Sequence, residues 1–191
     1  MFMSSIRPAI SVFIILSLVT GVLYPLFTTA VAKLTFPDQA NGSLIMRDSK
    51  VVGSILIGQS FSQPENFWSR PSATGSMPYN ASASSGANQG PTNPALIEAV
   101  TSRISALQAV DVNNKKLIPV DLVTTSASGL DPHISAAAAH YQAARVADRR
   151  KLPLKDIKDL IVANTEIPLL GFMGEARVNV LKLNLALAEM K

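Results

Sequence analysis

The chain has 191 residues, 48% of them hydrophobic and 16% charged, with no cysteine. That length fits one domain plus an anchor, since single domains commonly run to about 100–200 residues. The surplus of 17 Lys and Arg over 13 Asp and Glu is too small to argue for nucleic acid, and the lack of cysteine fits either redox compartment.

Hydrophobicity is concentrated at the start. No charged residue lies between Pro8 and Ala32, and about 20 apolar residues suffice to cross a bilayer core as a helix. The run therefore predicts a transmembrane helix over residues 10–32. A short N-terminus, 1–9, precedes it, and one soluble domain, 33–191, follows. The rival reading is a cleavable signal peptide, with Arg7 as its charged region and Ala30-Val31-Ala32 as a small-x-small cleavage site. Its apolar region usually runs to only about 7–15 residues, which this stretch exceeds, so the anchor is preferred. Tyr24 suits an interface and Pro25 would kink the helix, so Tyr24 is a candidate for its outer end. Arg7 and the terminal amine on one side, against Lys33 on the other, lean towards a cytoplasmic N-terminus and an exported domain.

After the anchor, Ser43-Leu44-Ile45-Met46, the polar turn 47–50 and Val51 to Ile57 predict a β-hairpin. Ser62 to Asn93 has the composition of a linker, but Phe61, Phe67, Trp68 and Tyr79 give it anchors, so it is read as an ordered loop packed on the domain. Asn93-Pro94 is a cap-then-proline helix start, followed by apolar residues from Leu96 to Val110 at helical spacing. Lys116 to Thr124 reads as a buried strand. Asp131-Pro132 repeats the cap signal, and predicts a helix to about Lys151 with Arg149-Arg150-Lys151 as its basic end. Asp131 is thus expected to be a helix cap, not a catalytic acid. Pro153 separates a short helix around Ile157, Leu160 and Ile161, and a last helix covers Val178 to Glu189. The fold class is an α+β soluble domain on a single N-terminal transmembrane helix.

Three stretches are more specified than packing needs: Trp68 to Ala73, Asn88 to Pro94, and Val120 to Ser135. In the last, Ser126, Ser128 and Gly129 precede the expected helix, the layout of many anion sites. Neither standard phosphate fingerprint is present, and an Asp cap occupies the place a phosphate would take. A tight strand-to-helix turn is the simpler reading. A hydrolytic triad of a serine, His133 and Asp121 or Asp131 can be assembled on paper, without a G-x-S-x-G. His133 and His140 are not at the four-residue spacing of a helical zinc pair, and no metal site is expected. His133 is read as a first-turn polar contact. Arg70, beside Trp68, could bind a partner's carboxylate, stack on the indole, or clamp the loop internally.

Several of these segments, taken in order, resemble the C subunit of the Kdp potassium-transporting P-type ATPase. They are Arg7-Pro8-Ala9, Tyr24-Pro25-Leu26, Gln39 to Leu44, Gly53-Ser54 with Leu56 to Gln59, and Phe67 to Ala73. Pro78-Tyr79-Asn80, Gly90-Pro91 with Asn93-Pro94, Ser128 to Ser135 and Arg177 to Leu181 with Leu183-Asn184 complete the series. Ala143-Ala144 and Ala176 depart from the family pattern, which has proline there. The resemblance implies a non-catalytic accessory subunit in a bacterial inner membrane. It would stabilise a potassium import complex and raise the pump's affinity for ATP. Its partners would be the channel-like potassium-binding subunit, the P-type pump subunit and membrane lipid, with no nucleic acid. It implies no cofactor held by this chain, ATP being used only through the complex. The residues marked for interaction or structure are Trp68, Arg70, Pro71, Tyr79, Asn80, Asn93, Ser128, Gly129, Asp131 and His133. The runner-up is an anchored exported hydrolase using a serine and His133.

Overall fold

A computed structural model describes residues 2–168 and 170–190. The chain forms two compact units, residues 1–44 and 45–191.

In the first unit, α1 (Phe2–Leu18), a π-helical turn (Val19–Leu23) and α2 (Tyr24–Thr35) run without a break. Ser5–Thr35, 31 residues, is long and apolar enough to cross a membrane; at 1.5 Å per residue it measures about 46 Å. The helix does not end at Tyr24. Pro25 has no N–H to give to the carbonyl one turn back, and the π turn immediately before it takes up the misfit. Thr20, Thr28 and Thr35 donate their hydroxyls to the carbonyls of Leu16, Tyr24 and Val31 at 2.7–3.0 Å. These three hydroxyls on an apolar helix are thereby satisfied within it, as hydrocarbon favours. The short α3 (Pro37–Ala40) then closes the unit.

The second unit opens on a hairpin, β1 (Leu44–Arg47) with β2 (Lys50–Ser54). A long irregular segment follows, broken by one 3₁₀ turn at Ala81–Ala83. Then α4 (Pro94–Val110) starts as its sequence directs, with Asn93 Oδ1 accepting from Ala95 N at 3.0 Å. The remaining elements build the core: β3 (His133–Ser135), α5 (Ala136–Arg150), α6 (Leu154–Ala163), β4 (Thr165–Glu166), β5 (Arg177–Asn179) and α7 (Val180–Glu189). The three strands form an antiparallel sheet ordered β3-β5-β4, with Ile134 and Thr165 both facing Val178 across the register. Helix α5 presents Ala138, Ala139, Ala143, Val146 and Ala147, small residues that let α6 approach closely. Ile157 and Ile161 of α6 and Leu183 and Leu187 of α7 are fully buried. Burial of each such side chain is worth roughly 1.5–3 kcal/mol. The fold is α+β.

Two expected elements are absent in the form expected. Lys116 to Thr124 is not a strand. Pro119 leads into a 3₁₀ turn, Val120–Leu122; Leu122 and Val123 are buried and Ile118 packs partly against the core, while Leu117 and Val120 stay exposed. Nor does Asp131 cap a helix. Pro132 O accepts from Val180 N at 3.0 Å, and residues 133–135 join the sheet, so α5 starts later with Ser135 as its cap. Ser135 Oγ accepts from Ala138 N at 3.0 Å. Strand pairing, a tertiary gain, has overridden the local signal. At its other end α5 closes as the sequence indicates, with Arg149 and Arg150 in the last turn and Lys151 in the left-handed conformation.

Ser135→Ala should therefore cost about 1–2 kcal/mol through the lost cap. Urea melts of the detergent-solubilised chain check this, and an unchanged midpoint would contradict the assignment.

Candidate functional site

The second unit's long loop enters the core at Phe67 and Trp68, without any strand beside it. Two side-chain amides replace the missing partner. Asn184 of α7 accepts from Phe67 N and donates to Phe67 O, both at 2.9 Å. Gln142 of α5 accepts from Trp68 N at 2.8 Å and donates to Trp68 O at 3.1 Å. Each amide matches one residue's donor and acceptor, as a neighbouring strand would.

Arg145, one turn after Gln142, completes the grip. Its guanidinium donates to Gln142 Oε1 at 2.6 Å, to Asn66 O at 3.1 Å and to Pro64 O. Its central carbon lies 4.9 Å from the centre of the Trp68 ring. The group is buried, and burial pushes its pKa down to about 10, so it is still a cation at neutral pH. Carbonyl dipoles and an aromatic face stabilise that charge. Arg150 adds donors to Glu65 O at 3.0 Å and Asn66 Oδ1 at 2.7 Å.

Beyond Trp68 the loop is tied to the segment before β3. Arg70 Nη1 donates to Asp131 Oδ2 at 2.9 Å and its Nη2 to Thr125 O at 3.2 Å. Arg70 is thus the internal clamp and does not stack on the neighbouring indole, a place that Arg145 takes. Asp131 Oδ1 accepts from His133 N at 3.0 Å, a local turn. Burial alone would raise the Asp131 carboxyl, but hydrogen bonds from His133 and the Arg70 charge outweigh it and hold it below the ordinary range. Ser72 Oγ donates to Gly129 O at 2.7 Å and accepts from Tyr79 N at 2.9 Å, while Tyr79 OH donates to Arg70 O at 2.5 Å. Gly129 has φ +68°, and a Cβ there would sit 2.6 Å from Thr74 Cγ2 and 2.7 Å from Ser85 O. Only glycine fits so close a crossing of two chain segments.

The structure brings Trp68, Arg70, Pro71, Tyr79, Asn80, Ser128, Gly129, Asp131 and His133 into this one knot. Pro71 lines a cavity of about 310 Å³ with Trp68, Tyr79, Arg103 and Leu122. Asn80 caps the 3₁₀ turn by accepting from Ser82 N, and Ser128 Oγ accepts from Leu130 N, both at 3.1 Å. Asn93 stands apart as the α4 cap. Gln142, Arg145 and Asn184 escaped the sequence reading, although polar residues at inward positions of apolar helix faces are the signal that marks them.

His133 lies in β3, not in a helix. Its Nδ1 is 3.4 Å from Asp131 Oδ1 and its Nε2 is 3.7 Å from Glu166 Oε2. Both ring nitrogens face carboxylates, which leaves neither directed at a serine hydroxyl. Ser135 Oγ meets the Asp121 carboxylate and the α5 backbone instead. This is no hydrolytic triad. Glu166 also meets Arg177 at 3.1 Å and Lys182 at 3.3 Å. Burial would raise its carboxyl, but these two donors hold it below the usual value. Nor do Ser126, Ser128 and Gly129 form an anion cradle: no strand precedes them, no helix starts at Asp131, and Ser126 Oγ accepts from Gly129 N at 2.9 Å.

The hydrogen bonds of this cluster run within the second unit, to backbone and side chains alike, while Ser69 Oγ and Arg70 Nε are buried without a hydrogen-bond partner among the described residues. With one helix long and apolar enough to cross a membrane among the described residues, the chain is of the class of α+β proteins that carry a single N-terminal apolar helix. The family model described as "KdpC: K+-transporting ATPase, c chain" matches residues 6–189. Relatives named "Potassium-transporting ATPase KdpC subunit" include one from Polaromonas naphthalenivorans, 63% identical over 97% of this chain and 95% of its own length. Others are from Dechloromonas aromatica, 61% identical over 95% of both chains, and from Methylococcus capsulatus, 58% identical over 97% of both. The chain belongs to this KdpC family of K+-transporting ATPase c chains.

Arg145→Ala should destabilise the second unit by about 3 kcal/mol or more, since it strips a buried donor from three acceptors and opens a cavity beside Trp68. Arg145→Lys should rescue only part, because one ammonium cannot replace the planar fork. Denaturant midpoints of the three proteins test this; full rescue by lysine would show that charge alone matters.

Proposed function

We propose that the chain is a non-catalytic accessory subunit of an ATP-driven potassium import complex, in which it stabilises assembly and assists ATP use by the pump subunit. The observation that carries this reading is the family match over nearly the whole chain. The pairing of both His133 ring nitrogens with carboxylates supports it over the hydrolase reading. The partners are the channel-like potassium-binding subunit and the P-type pump subunit, and no cofactor is held by this chain.

The proposed layout is a cytoplasmic N-terminus over residues 1–9, a span over 10–32 and a domain over 33–191 on the outer face of a bacterial plasma membrane. Arg7 before the span supports that orientation only through the positive-inside tendency, against Lys33 just after it. On this layout the domain cannot touch cytoplasmic ATP. Its effect on ATP use must then be transmitted by the span or by the partner subunits it holds.

Purifying the complex from cells lacking this chain should yield subunits that dissociate or lose potassium-stimulated ATP hydrolysis. A stable, fully active complex without it would reject the proposal. Orientation is checked separately, because the chain has no cysteine of its own. Thr101→Cys, on the exposed side of α4, should react with an impermeant maleimide in intact cells with a permeable outer layer. Reaction only after the plasma membrane is opened would reverse the topology.

A further inference from the structure

In the cavity that Trp68, Pro71 and Tyr79 share with α4, a cation without an ion-pair partner among the described residues meets an apolar wall. The volume is about 310 Å³, at the small end of the roughly 300–1,000 Å³ of ligand pockets. Phe61, Trp68, Pro71, Pro78, Tyr79 and Leu107 make the walls largely aromatic and apolar. The charged side chains on the wall are Arg70 and Arg103, and no carboxylate lines it among the described residues. Arg70 is neutralised by Asp131 at 2.9 Å. Arg103 is not. It belongs to α4, is half-buried, and donates one hydrogen bond, from Nη1 to Val123 O at 2.8 Å. Burial lowers its pKa with no neighbouring charge to offset the effect, and an arginine so placed is still a cation at neutral pH. Ser69 and Arg70 also line the cavity, and each keeps a buried polar atom, Oγ and Nε, unpartnered among the described residues. Both atoms can donate, so this wall has donors to spare and lacks acceptors.

We propose that this cavity is a binding site for a small organic monocarboxylate with an aromatic or short aliphatic body. The body packs against the aromatic and proline walls, which removes its apolar surface from water. The carboxylate pairs with Arg103, whose planar guanidinium presents further N–H donors beyond the one given to Val123 O. Such a pair gains from the partial desolvation that the free arginine already bears. Charge limits the class of ligand. With Arg70 paired to Asp131, the wall supplies one uncompensated cation, which matches a single negative charge and not a multiply charged headgroup. Size limits it too, since the volume suits one ring or a short chain. The cavity lies wholly within the second unit, so the site depends neither on the orientation of the membrane helix nor on the proposed function.

Trp68 is the only tryptophan of the chain, so its emission reads the cavity directly. The full chain in detergent is titrated with phenylacetate, with its neutral analogue phenylacetamide, and with acetate. Phenylacetate should change the Trp68 emission saturably, with a Kd of about 1 mM or tighter. The amide, which lacks the charge, and acetate, which lacks the body, should each bind about tenfold more weakly or worse. Arg103→Gln should bring phenylacetate to the level of the amide, and Arg103→Lys should keep part of the difference. The ligand comparison is made on the unaltered chain, so it decides the matter even where a variant fails to fold. No saturable change with phenylacetate would overturn the proposal. Equal affinity for phenylacetate and the amide would overturn it by leaving only an apolar hollow, and equal affinity for acetate by leaving only a general attraction of anions. A folded Arg103→Gln protein that binds phenylacetate unchanged would overturn it as well.

Discussion

A buried guanidinium held by carbonyl oxygens and an aromatic face organises the second unit. Desolvating Arg145 is expensive, and the expense is tolerable only because three carbonyl-type oxygens and the face of Trp68 surround it. Those oxygens come from the loop at Pro64 and Asn66 and from Gln142, and Gln142 in turn holds Trp68 by both backbone groups. The cation, the amide and the loop therefore cannot be placed separately. Without Arg145, Gln142 loses a charge-assisted donor, and the Pro64 to Trp68 backbone loses the partners that justify its burial. A long irregular loop can enter a core only if its peptide groups are paired, and here helix side chains do the pairing.

The same economy governs the rest of the polar set. Arg70, Asp131, Ser72, Tyr79 and Gly129 join two irregular segments that share no strand or helix. Asp131 satisfies Arg70 with one oxygen and the His133 N–H with the other. Glu166 is shared by Arg177 and Lys182 at the sheet's edge. These bonds fix irregular segments to one another, which is what a domain built around loops needs for rigidity.

Where the sequence could be read, a local rule decided the structure. Asn93-Pro94 works because a cap side chain and a missing N–H act within one turn, whatever lies elsewhere. The apolar run from Pro8 to Ala32 is equally local. Asp131-Pro132 carries the same letters and failed, because three residues after it were claimed by β5, an element more than forty positions away in the chain. Strands of two or three residues have no periodicity to detect. Lys116 to Thr124 misled for a related reason: its apolar residues divide between an exposed turn and the buried Leu122 and Val123. Of the site, the loop's own residues stood out by composition. Gln142, Arg145 and Asn184 did not, because each sits in an otherwise ordinary helix, and only the geometry shows that a loop backbone completes them.

This distribution of polar groups limits how another molecule can recognise the domain. Side chains already committed to internal bonds are costly to recruit, since each would leave a partner unsatisfied. What remains at the surface for recognition is shape, backbone and apolar area, together with lysines such as Lys115 and Lys116 that anchor nothing else in the core. Association through such surfaces is driven by removing apolar area from water and tuned by charge at the rim. The helix of the first unit follows the same logic in a different solvent. Thr20, Thr28 and Thr35 bond back to carbonyls of their own helix, so these three hydroxyls are committed within it.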